Sequence, residues 1–290
     1  MTKKPISPEE FKQFARYILD ISGIALEAGK EYLVETRLGP ILTRLGCTSY
    51  AELLQKAKTD DKKNLENEII DAISTNETYF FRDKAPFQLL QHKIIPDLID
   101  RRTRKNPGRK PAIRLWSAAN STGQEIYSIA MILVEMGITP DNYNVKLFGT
   151  DISDAAIAQA SYGFYNKFEA ARGLDPARLQ RYFDPHENGY KIKDQLRVMT
   201  QFKKMNLMQP FAAMGKFDII LCRNVMIYFT PQDRKRIYEK IARVLEPDGY
   251  LIIGATESLI NDTGLFVSSK YLNSVFYQFK PQGQQYNGYR

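Results

Sequence analysis

Hydrophobic positions divide the chain into two parts that meet near residue 105. In the first part apolar side chains recur at helical spacing, as in Phe11, Phe14 and Ile18. Ser7 followed by Glu10 is a capping-box pattern that marks the start of this helix, and a glycine marks its end. The pattern predicts helices at 7–22, 28–45, 49–58, 61–73 and about 87–104, so residues 1–105 are expected to form a small all-α domain with a linker helix.

The second part alternates between apolar runs and amphipathic stretches. Buried strands are predicted at 112–116, 145–149, 217–222 and 250–254, and a helical pattern follows each of the first three. Such βαβ units form a parallel sheet with helices on both faces, and their crossovers are right-handed. Residues 106–280 are therefore predicted to adopt an α/β, Rossmann-like, doubly wound fold.

One stretch interrupts this alternation, and another follows it. Asn188-Gly189 is a hairpin-type turn signal, which predicts a small β insertion at about 182–202. The segment 281–290 is polar and is expected to be a disordered tail.

Charge and composition narrow the class of protein. The net charge of +8 favours an acidic partner. The densest cluster of positive charge is "RRTRKNPGRK" at 101–110, which is interpreted either as a solvated linker or as a phosphate-binding segment. This segment lacks the aromatic residues that stack on bases. Two cysteines and two histidines, widely spaced, argue against a metal site or a disulfide framework. No apolar run approaches the roughly 20 residues that cross a bilayer, and the first residues lack a signal-peptide pattern, so we expect a cytoplasmic protein without membrane insertion.

The turn after the first predicted strand has the composition of a ligand site. In "RLWSAANSTGQEIYSIAM" (114–131), small residues leave the backbone open, and Ser121 or Thr122 is expected to cap the next helix. The single glycine departs from the G-x-G-x-x-G fingerprint, and no P-loop is present. Glu125 in the first helical turn would repel a phosphate, so the turn favours a cationic ligand; alternatively, Glu125 complements the helix dipole.

Polar side chains follow the next two strands at the same predicted edge. Asp151, at the end of the second strand, can accept hydrogen bonds from a ribose, or can cap the helix that begins near Asp154. Arg223 and Asn224 follow the third strand, where they are placed for ligand contact; an ion pair is the plainer role for the arginine. A ribose without a phosphate, together with a positive charge, fits S-adenosylmethionine.

Five segments in this order resemble one known family. They are "TNETYFFR" (75–82), "WSAANSTGQEIYSIAM" (116–131), "GTDIS" (149–153), "CRNVMIYF" (222–229) and "GATES" (254–258). Together they are similar to the CheR-type chemoreceptor glutamate methyltransferases, and the resemblance extends to about residue 280. It implies a Rossmann-like class I methyltransferase domain behind an all-α domain, S-adenosylmethionine as methyl donor with S-adenosylhomocysteine as product, and glutamate methyl esters as the result.

The resemblance also implies site residues by position. The implied cofactor contacts are Asn76, Thr78, Arg82, Glu125, Asp151, Asn206, Leu207, Arg223 and Asn224. Either Arg82 or Arg223 could pair with the carboxylate of the cofactor or with the incoming glutamate. Tyr228 is our candidate for orienting the acceptor, with plain packing as its alternative role, so Arg82 and Tyr228 are the candidate catalytic residues.

The implied partner is the cytoplasmic helical bundle of a chemoreceptor. Six basic residues of the first domain are candidates for that contact: Arg37, Arg44, Lys56, Lys58, Lys62 and Lys63. The β insertion is short, so we expect independence from a pentapeptide tether at the receptor's carboxyl terminus. Two rival hypotheses remain at this stage. They are a nucleic-acid methyltransferase, which should carry a motif for a flipped base, and a cofactor-binding regulator without turnover.

Overall fold

The structure is a computed structural model that describes residues 5–259 and 262–280. The polar tail at 281–290 therefore lies outside the described residues. Within them, no helix combines the length and the apolar character that a membrane span requires.

The first part of the chain is a helical module with its own core. Its helices are α1 (Pro8–Ser22), α2 (Glu31–Arg44), α3 (Tyr50–Lys58) and α4 (Asn64–Ile73). The predicted capping box is confirmed, because Ser7 Oγ accepts from Glu10 N at 3.3 Å while a Glu10 carboxylate oxygen accepts from Ser7 N at 3.0 Å. Gly23 ends α1 in the left-handed region at φ 81°. Phe14, Leu38 and Leu53 are fully buried among the four helices.

The linker helix is one continuous element in three pieces. These are α5 (Ala85–Leu89), a π-helical turn (Leu90–Ile94) and α6 (Ile95–Lys105), and their apolar face packs under the central sheet. Arg102 pairs with Asp218 and, at 2.7 Å, with Asp248, while Arg101 donates to the Tyr250 hydroxyl at 3.1 Å. The interpretation of 101–110 as a solvated linker is therefore wrong for its first two residues, which fasten α6 to the sheet.

The second part of the chain is a seven-stranded sheet with helices on its faces. Its strands lie in the order β6-β2-β1-β7-β8-β10-β9, and the first five are parallel. The order reverses between β1 and β7, which confirms the doubly wound fold. The strands of this sheet are β1 (Ala112–Ala118), β2 (Asn144–Asp151), β6 (Thr200–Lys204), β7 (Phe217–Cys222), β8 (Leu245–Ile253), β9 (Phe266–Tyr271) and β10 (Ser274–Phe279), and the main helices are α7 (Gln124–Glu135), α8 (Asp154–Tyr162) and α12 (Pro231–Val244).

A small antiparallel sheet fits the expected β insertion. It has the order β3-β5-β4, and the two-residue turn Glu187-Asn188 joins its last two strands. Residues 200–202, which the sequence interpretation included in the insertion, instead belong to β6 and pair with β2. The elements of this region are β3 (Phe164–Asn166), β4 (Phe183–His186), β5 (Gly189–Ile192), α9 (Lys167–Ala171), α10 (Pro176–Tyr182) and α11 (Asp194–Arg197).

Three strands of the central sheet had no counterpart in the sequence interpretation. β6 and β9 lie at the two edges of the sheet and carry many exposed positions, and β10 pairs antiparallel between β8 and β9. Edge strands lack the continuous apolar run by which the buried strands were recognised. In addition, β8 begins at Leu245, five residues before the predicted strand 250–254, and its register is irregular opposite Phe217.

The helical module packs over the carboxyl ends of the parallel strands. Ala25 N donates to Tyr228 O at 2.8 Å, and Asn206 Nδ2 donates to Ile21 O at 3.0 Å. A Cβ on Gly23 would lie 2.7 Å from both Met208 Cγ and Phe229 Cε1, so only glycine allows this close approach. The end of α1 thus forms one wall of the cleft described next.

Candidate active site

A cleft opens where the strand order reverses, between the carboxyl ends of the parallel strands and the helical module. The cleft and its open mouth together enclose about 980 Å³, which includes open solvent. All ten residues that the sequence singled out line it: Asn76, Thr78, Arg82, Glu125, Asp151, Asn206, Leu207, Arg223, Asn224 and Tyr228. Five segments of the chain, from residue 76 to residue 228, contribute them.

The turn between β1 and α7 forms the floor of the cleft. Ala119, Ser121 and Gly123 all have positive φ, at 58°, 53° and 100°, which makes the turn tight. Gly123 is itself the N-cap of α7 without a side-chain bond, so the prediction that Ser121 or Thr122 caps this helix is wrong. Ser121 Oγ instead donates to Asn76 O at 3.0 Å, which joins the turn to the opposite wall.

Asp151 is buried at the end of β2 with both carboxylate oxygens oriented by backbone amides. Oδ2 accepts from Ser121 N at 2.8 Å, and Oδ1 accepts from Ser153 N at 3.0 Å. Burial raises the pKa of this carboxyl above its ordinary value, although these backbone bonds oppose the shift. Ser153, and not Asp151, caps α8. Each oxygen keeps a lone pair that a neighbouring hydroxyl can approach.

Glu125 and the buried Arg223 form a charge cluster with Asp83, which is exposed at the surface. The Arg223 guanidinium donates to Glu125 at 2.7 Å and to Asp83 at 2.9 Å, and its side chain is only 2% exposed. The other Glu125 oxygen accepts from Ser117 Oγ at 2.7 Å. Arg223 is thus an ion-pair former with two carboxylate partners, and the cluster carries a net charge of −1 beside the cleft. Asp83, which sequence reasoning missed, directly follows the segment 75–82.

The loop after β7 is fixed by a residue that the sequence analysis quoted but did not assign. Glu257, in the segment 254–258, accepts three backbone hydrogen bonds: from Gly254 N at 2.7 Å, from Asn224 N at 2.9 Å and from Met226 N at 3.0 Å. These bonds hold Asn224 at φ 57°, a conformation that few non-glycine residues adopt. Glu257 therefore acts on the cleft through the loop that carries Arg223, Asn224 and Tyr228.

The segment 74–79 crosses the cleft without regular secondary structure. Arg82 Nη1 donates to Glu77 O at 2.9 Å, and its guanidinium lies 5.9 Å from the centre of the Tyr79 ring. Phe80 and Phe81, in the same quoted segment 75–82, are buried in the core under the sheet.

Asn206 and Leu207 close the remaining side. Asn206 Oδ1 accepts from Met208 N at 2.8 Å, which orients the loop. The Lys240 ammonium group donates to the carbonyls of Leu207 and Gln209, and burial lowers its pKa to about 8. The loop after β6 is thus anchored to α12.

No cluster of three or more His, Cys, Asp or Glu side chains suited to a metal ion occurs within 5–259 or 262–280. The sheet order, the cleft at the reversal point and the carboxylate at the end of β2 define the class, which is a Rossmann-like α/β protein with a nucleoside-type site.

Comparison with known proteins gives the family within that class. Residues 9–74 match the model of the CheR methyltransferase all-alpha domain, and residues 76–274 match that of the CheR methyltransferase SAM binding domain. The chain belongs to the CheR methyltransferase family. It is an S-adenosylmethionine-dependent methyltransferase of chemotaxis, as the resemblance of its sequence segments implied.

Two relatives span nearly all of the chain. The chemotaxis protein methyltransferase of Vibrio parahaemolyticus is 37% identical over 286 residues, covering 97% of this chain and 100% of that protein. Chemotaxis protein methyltransferase Cher2 of Pseudomonas putida is 40% identical over 254 residues, covering 86% and 90%. Among solved structures, the plantazolicin methyltransferase BpumL in complex with SAH aligns with 69% of this chain and 56% of its own at 13% identity, with a TM-score of 0.32 that is too low to add to the assignment.

Proposed function

We propose that this protein transfers the methyl group of S-adenosylmethionine to glutamate side chains in the cytoplasmic domains of chemoreceptors, giving glutamate methyl esters. The observation that carries the proposal is a single cleft lined by the Asp151 carboxylate and by the ion pair of Glu125 and Arg223. Asp83, which also pairs with Arg223, lies beside the cleft and gives this cluster its net charge of −1. Because this chemistry acts on receptors inside the cell, we also propose a cytoplasmic location.

The side chains of the cleft fit the proposed cofactor. Asp151 can accept hydrogen bonds from both hydroxyls of a ribose, because the amides of Ser121 and Ser153 orient its carboxylate and leave each oxygen with a lone pair. Ile152, Leu207 and Phe229 supply apolar wall for a base. The charge cluster favours a cationic ligand over an anionic one. When bound, the cofactor supplies a methyl group on a positively charged sulfur.

The acceptor needs no general base. A glutamate side chain has a pKa near 4.3, so its carboxylate is already the nucleophile at neutral pH. One carboxylate oxygen forms the bond to the methyl carbon while the carbon–sulfur bond breaks, and the sulfur keeps the electron pair of that bond. Opposite charges cancel in this step, so water stabilises the reactants more than the transition state. A cleft that orients the groups and excludes water therefore accelerates the transfer.

Two cleft residues are proposed to act on the acceptor. Arg82 is half-buried, and its bonds to Glu77 O and to the Tyr79 ring leave other guanidinium donors for a carboxylate. Tyr228 lies on the loop held by Glu257, and its backbone is bonded to the helical module through Ala25. Its hydroxyl is proposed to orient the acceptor oxygen.

The helical module is proposed to meet the acidic receptor helix. Three of its candidate cations form exposed pairs with acids of their own module: Arg44 with Glu68, Lys56 with Glu52, and Lys63 with Glu66. Exposed pairs contribute about 0–1 kcal/mol, so a partner's carboxylates can replace the internal ones at little cost. Such contacts act mainly on the rate of encounter and should weaken with salt.

The hairpin of the small sheet supports independence from a pentapeptide tether. β4 and β5 are joined by two residues only, which leaves little loop for a docked peptide. We expect equal methylation of receptors with and without such a carboxyl-terminal peptide.

The test uses the full chain with labelled S-adenosylmethionine and two acceptors, receptor-containing membranes and total RNA. Base-labile label on the receptor, lost when its acceptor glutamates are replaced by alanine, is the expected result. Label on RNA would support the nucleic-acid hypothesis, and binding without transfer to either acceptor would support a regulator. Both of those outcomes reject the proposal.

A further inference from the structure

Arg37 was expected to contact the receptor, but its side chain is directed to the cleft-forming segment of its own chain. It lies on α2, and its guanidinium donates to the carbonyls of Ile73 and Ser74 and to Thr75 Oγ1, the last two at 3.0 and 3.1 Å. The three acceptors belong to consecutive residues at the carboxyl end of α4. Both terminal nitrogens of the planar, forked guanidinium group donate in this contact, so it depends on the geometry of an arginine and not only on its charge.

This contact stabilises the carboxyl end of α4 and the start of the segment that follows it. The last carbonyls of a helix lack partners within the helix, and a cation there also complements the helix dipole. Residues 74–79 have no regular secondary structure, and only the Ser74 amide continues the hydrogen-bond ladder of α4, through Ile70 O at 2.9 Å. At the far end, Asn76 O accepts from Ser121 Oγ at 3.0 Å. Arg37 and Ser121 thus hold the two ends of the stretch 73–76.

We propose that Arg37 is a positioning residue for the cofactor site. It acts through residues 73–75, which set the place of Asn76 and Thr78 in the cleft. The inference rests on the proposed cofactor contacts of those two residues. Its consequence is that loss of the Arg37 fork weakens cofactor binding even when the receptor is absent.

A charge-conserving change separates this role from a receptor contact. Arg37→Lys keeps the positive charge that an acidic partner would meet but cannot donate to three acceptors in a fork. Thr75→Val removes one acceptor without changing α2. The matched control is Arg16→Lys, an exposed arginine of α1 that pairs with Asp20 at 3.1 Å.

The experiment measures the Kd of S-adenosylhomocysteine by calorimetry on each full-length variant, together with KM for S-adenosylmethionine and for receptor. We expect Arg37→Lys to raise the Kd roughly tenfold, as the loss of about one hydrogen bond from a charged donor implies. Thr75→Val should raise it less, and Arg16→Lys should leave it unchanged. KM for the cofactor should rise in parallel, with little change in KM for the receptor.

An unchanged Kd in Arg37→Lys, whether or not KM for the receptor rises, would overturn the inference. Thermal unfolding without ligand identifies a variant that does not fold, and Thr75→Val then decides the outcome alone. An Asn76→Ala variant tests the cofactor assignment separately. If this variant binds S-adenosylhomocysteine as tightly as the wild type does, the proposed cleft contacts are wrong. If Asn76→Ala weakens binding and Arg37→Lys does not, only the role of Arg37 is rejected.

Discussion

At the scale of single residues, Asp151 shows how burial and hydrogen bonding act against each other on one carboxylate. Burial raises its pKa, and the amides of Ser121 and Ser153 favour the ionised form. Those amides also orient both oxygens, so the carboxylate is prepared for two hydroxyl donors before any ligand arrives. A residue in this position is suited to bind a diol.

We expect Asp151→Asn to weaken binding of S-adenosylhomocysteine by about 10- to 100-fold. The amide group presents one oxygen where the carboxylate presents two, and a hydrogen bond to a charged acceptor contributes about 1.5–3 kcal/mol. Titration calorimetry measures the change. Asp184→Asn, on the exposed strand β4, is the control. Equal affinity in Asp151→Asn and wild type would remove Asp151 from the site.

The raised pKa also predicts a pH dependence of cofactor binding. A diol donates to the ionised carboxylate, so binding favours ionised Asp151 and affinity falls as pH falls through the pKa of the free protein. Because burial raises that pKa above 3.8, the loss should begin at a higher pH than an ordinary aspartate gives. Calorimetry over the acidic range in which circular dichroism reports a folded protein measures it. The Asp151→Asn variant should lack this part of the dependence, and a wild-type affinity that stays constant over the range would contradict the prediction.

At the scale of elements, loops carry most of the assigned side chains of the cleft, while Glu125 lies in the first turn of α7 and Asp151 is the last residue of β2. The loop after β7 depends on Glu257, which is 31 residues or more from two of the amides that it binds. A Cβ on Gly254 would lie 2.6 Å from a Glu257 oxygen and 3.0 Å from Asn224 N, so glycine is needed where this carboxylate approaches. The quoted segment 254–258 is thus a support for the segment 222–229.

We expect Glu257→Gln to lower the free energy of unfolding by about 2 kcal/mol and also to weaken cofactor binding. One glutamate oxygen that accepted a hydrogen bond from a backbone amide is replaced by an NH₂ group, which cannot accept. That backbone amide then has no acceptor. Urea unfolding with and without S-adenosylhomocysteine measures both effects.

Glu187→Gln, in the exposed hairpin turn, provides the matched loss of charge for this experiment. If Glu257→Gln lowers stability but binds the cofactor normally, then Glu257 supports only the fold.

At the scale of the whole molecule, the helical module forms part of the cleft. Ser22, Ile24 and residues 73–78 line the cleft from the module side. Lys204 Nζ adds a further link, since it donates to Asn67 of α4 at 2.8 Å and to Asp154 of α8 at 2.6 Å. Cofactor binding and packing of the module are therefore expected to be coupled.

Gly23→Ala tests this coupling. The new Cβ would lie 2.7 Å from Met208 and Phe229 side chains, and overpacking of this kind costs about 1–3 kcal/mol. We expect a lower melting temperature and a higher Kd for S-adenosylhomocysteine, measured by calorimetry.

Gly29→Ala is the control for Gly23→Ala because Gly29 also has positive φ, at 88°, but has nothing within 4 Å of an added Cβ. Backbone strain is thus matched, and the steric contact differs. Equal effects of the two substitutions would argue against coupling through this contact.

The sequence by itself determined the features that depend on neighbouring residues. Helical and strand periodicity gave the order of the main elements, and local capping patterns gave both ends of α1. The family resemblance gave nine residues that the structure brings to one cleft, and the position after the third strand gave a tenth, Tyr228. Both kinds of information lie in short segments of chain.

Only the tertiary structure decided which distant groups meet. Arg223 pairs with carboxylates 98 and 140 residues away, and Arg37 binds carbonyls 36 and 37 residues away. It also decided that β6 and β9 join the edges of the central sheet. Periodicity records whether a side chain is buried but not which partner it meets, because that depends on how the packed elements place their ends in space.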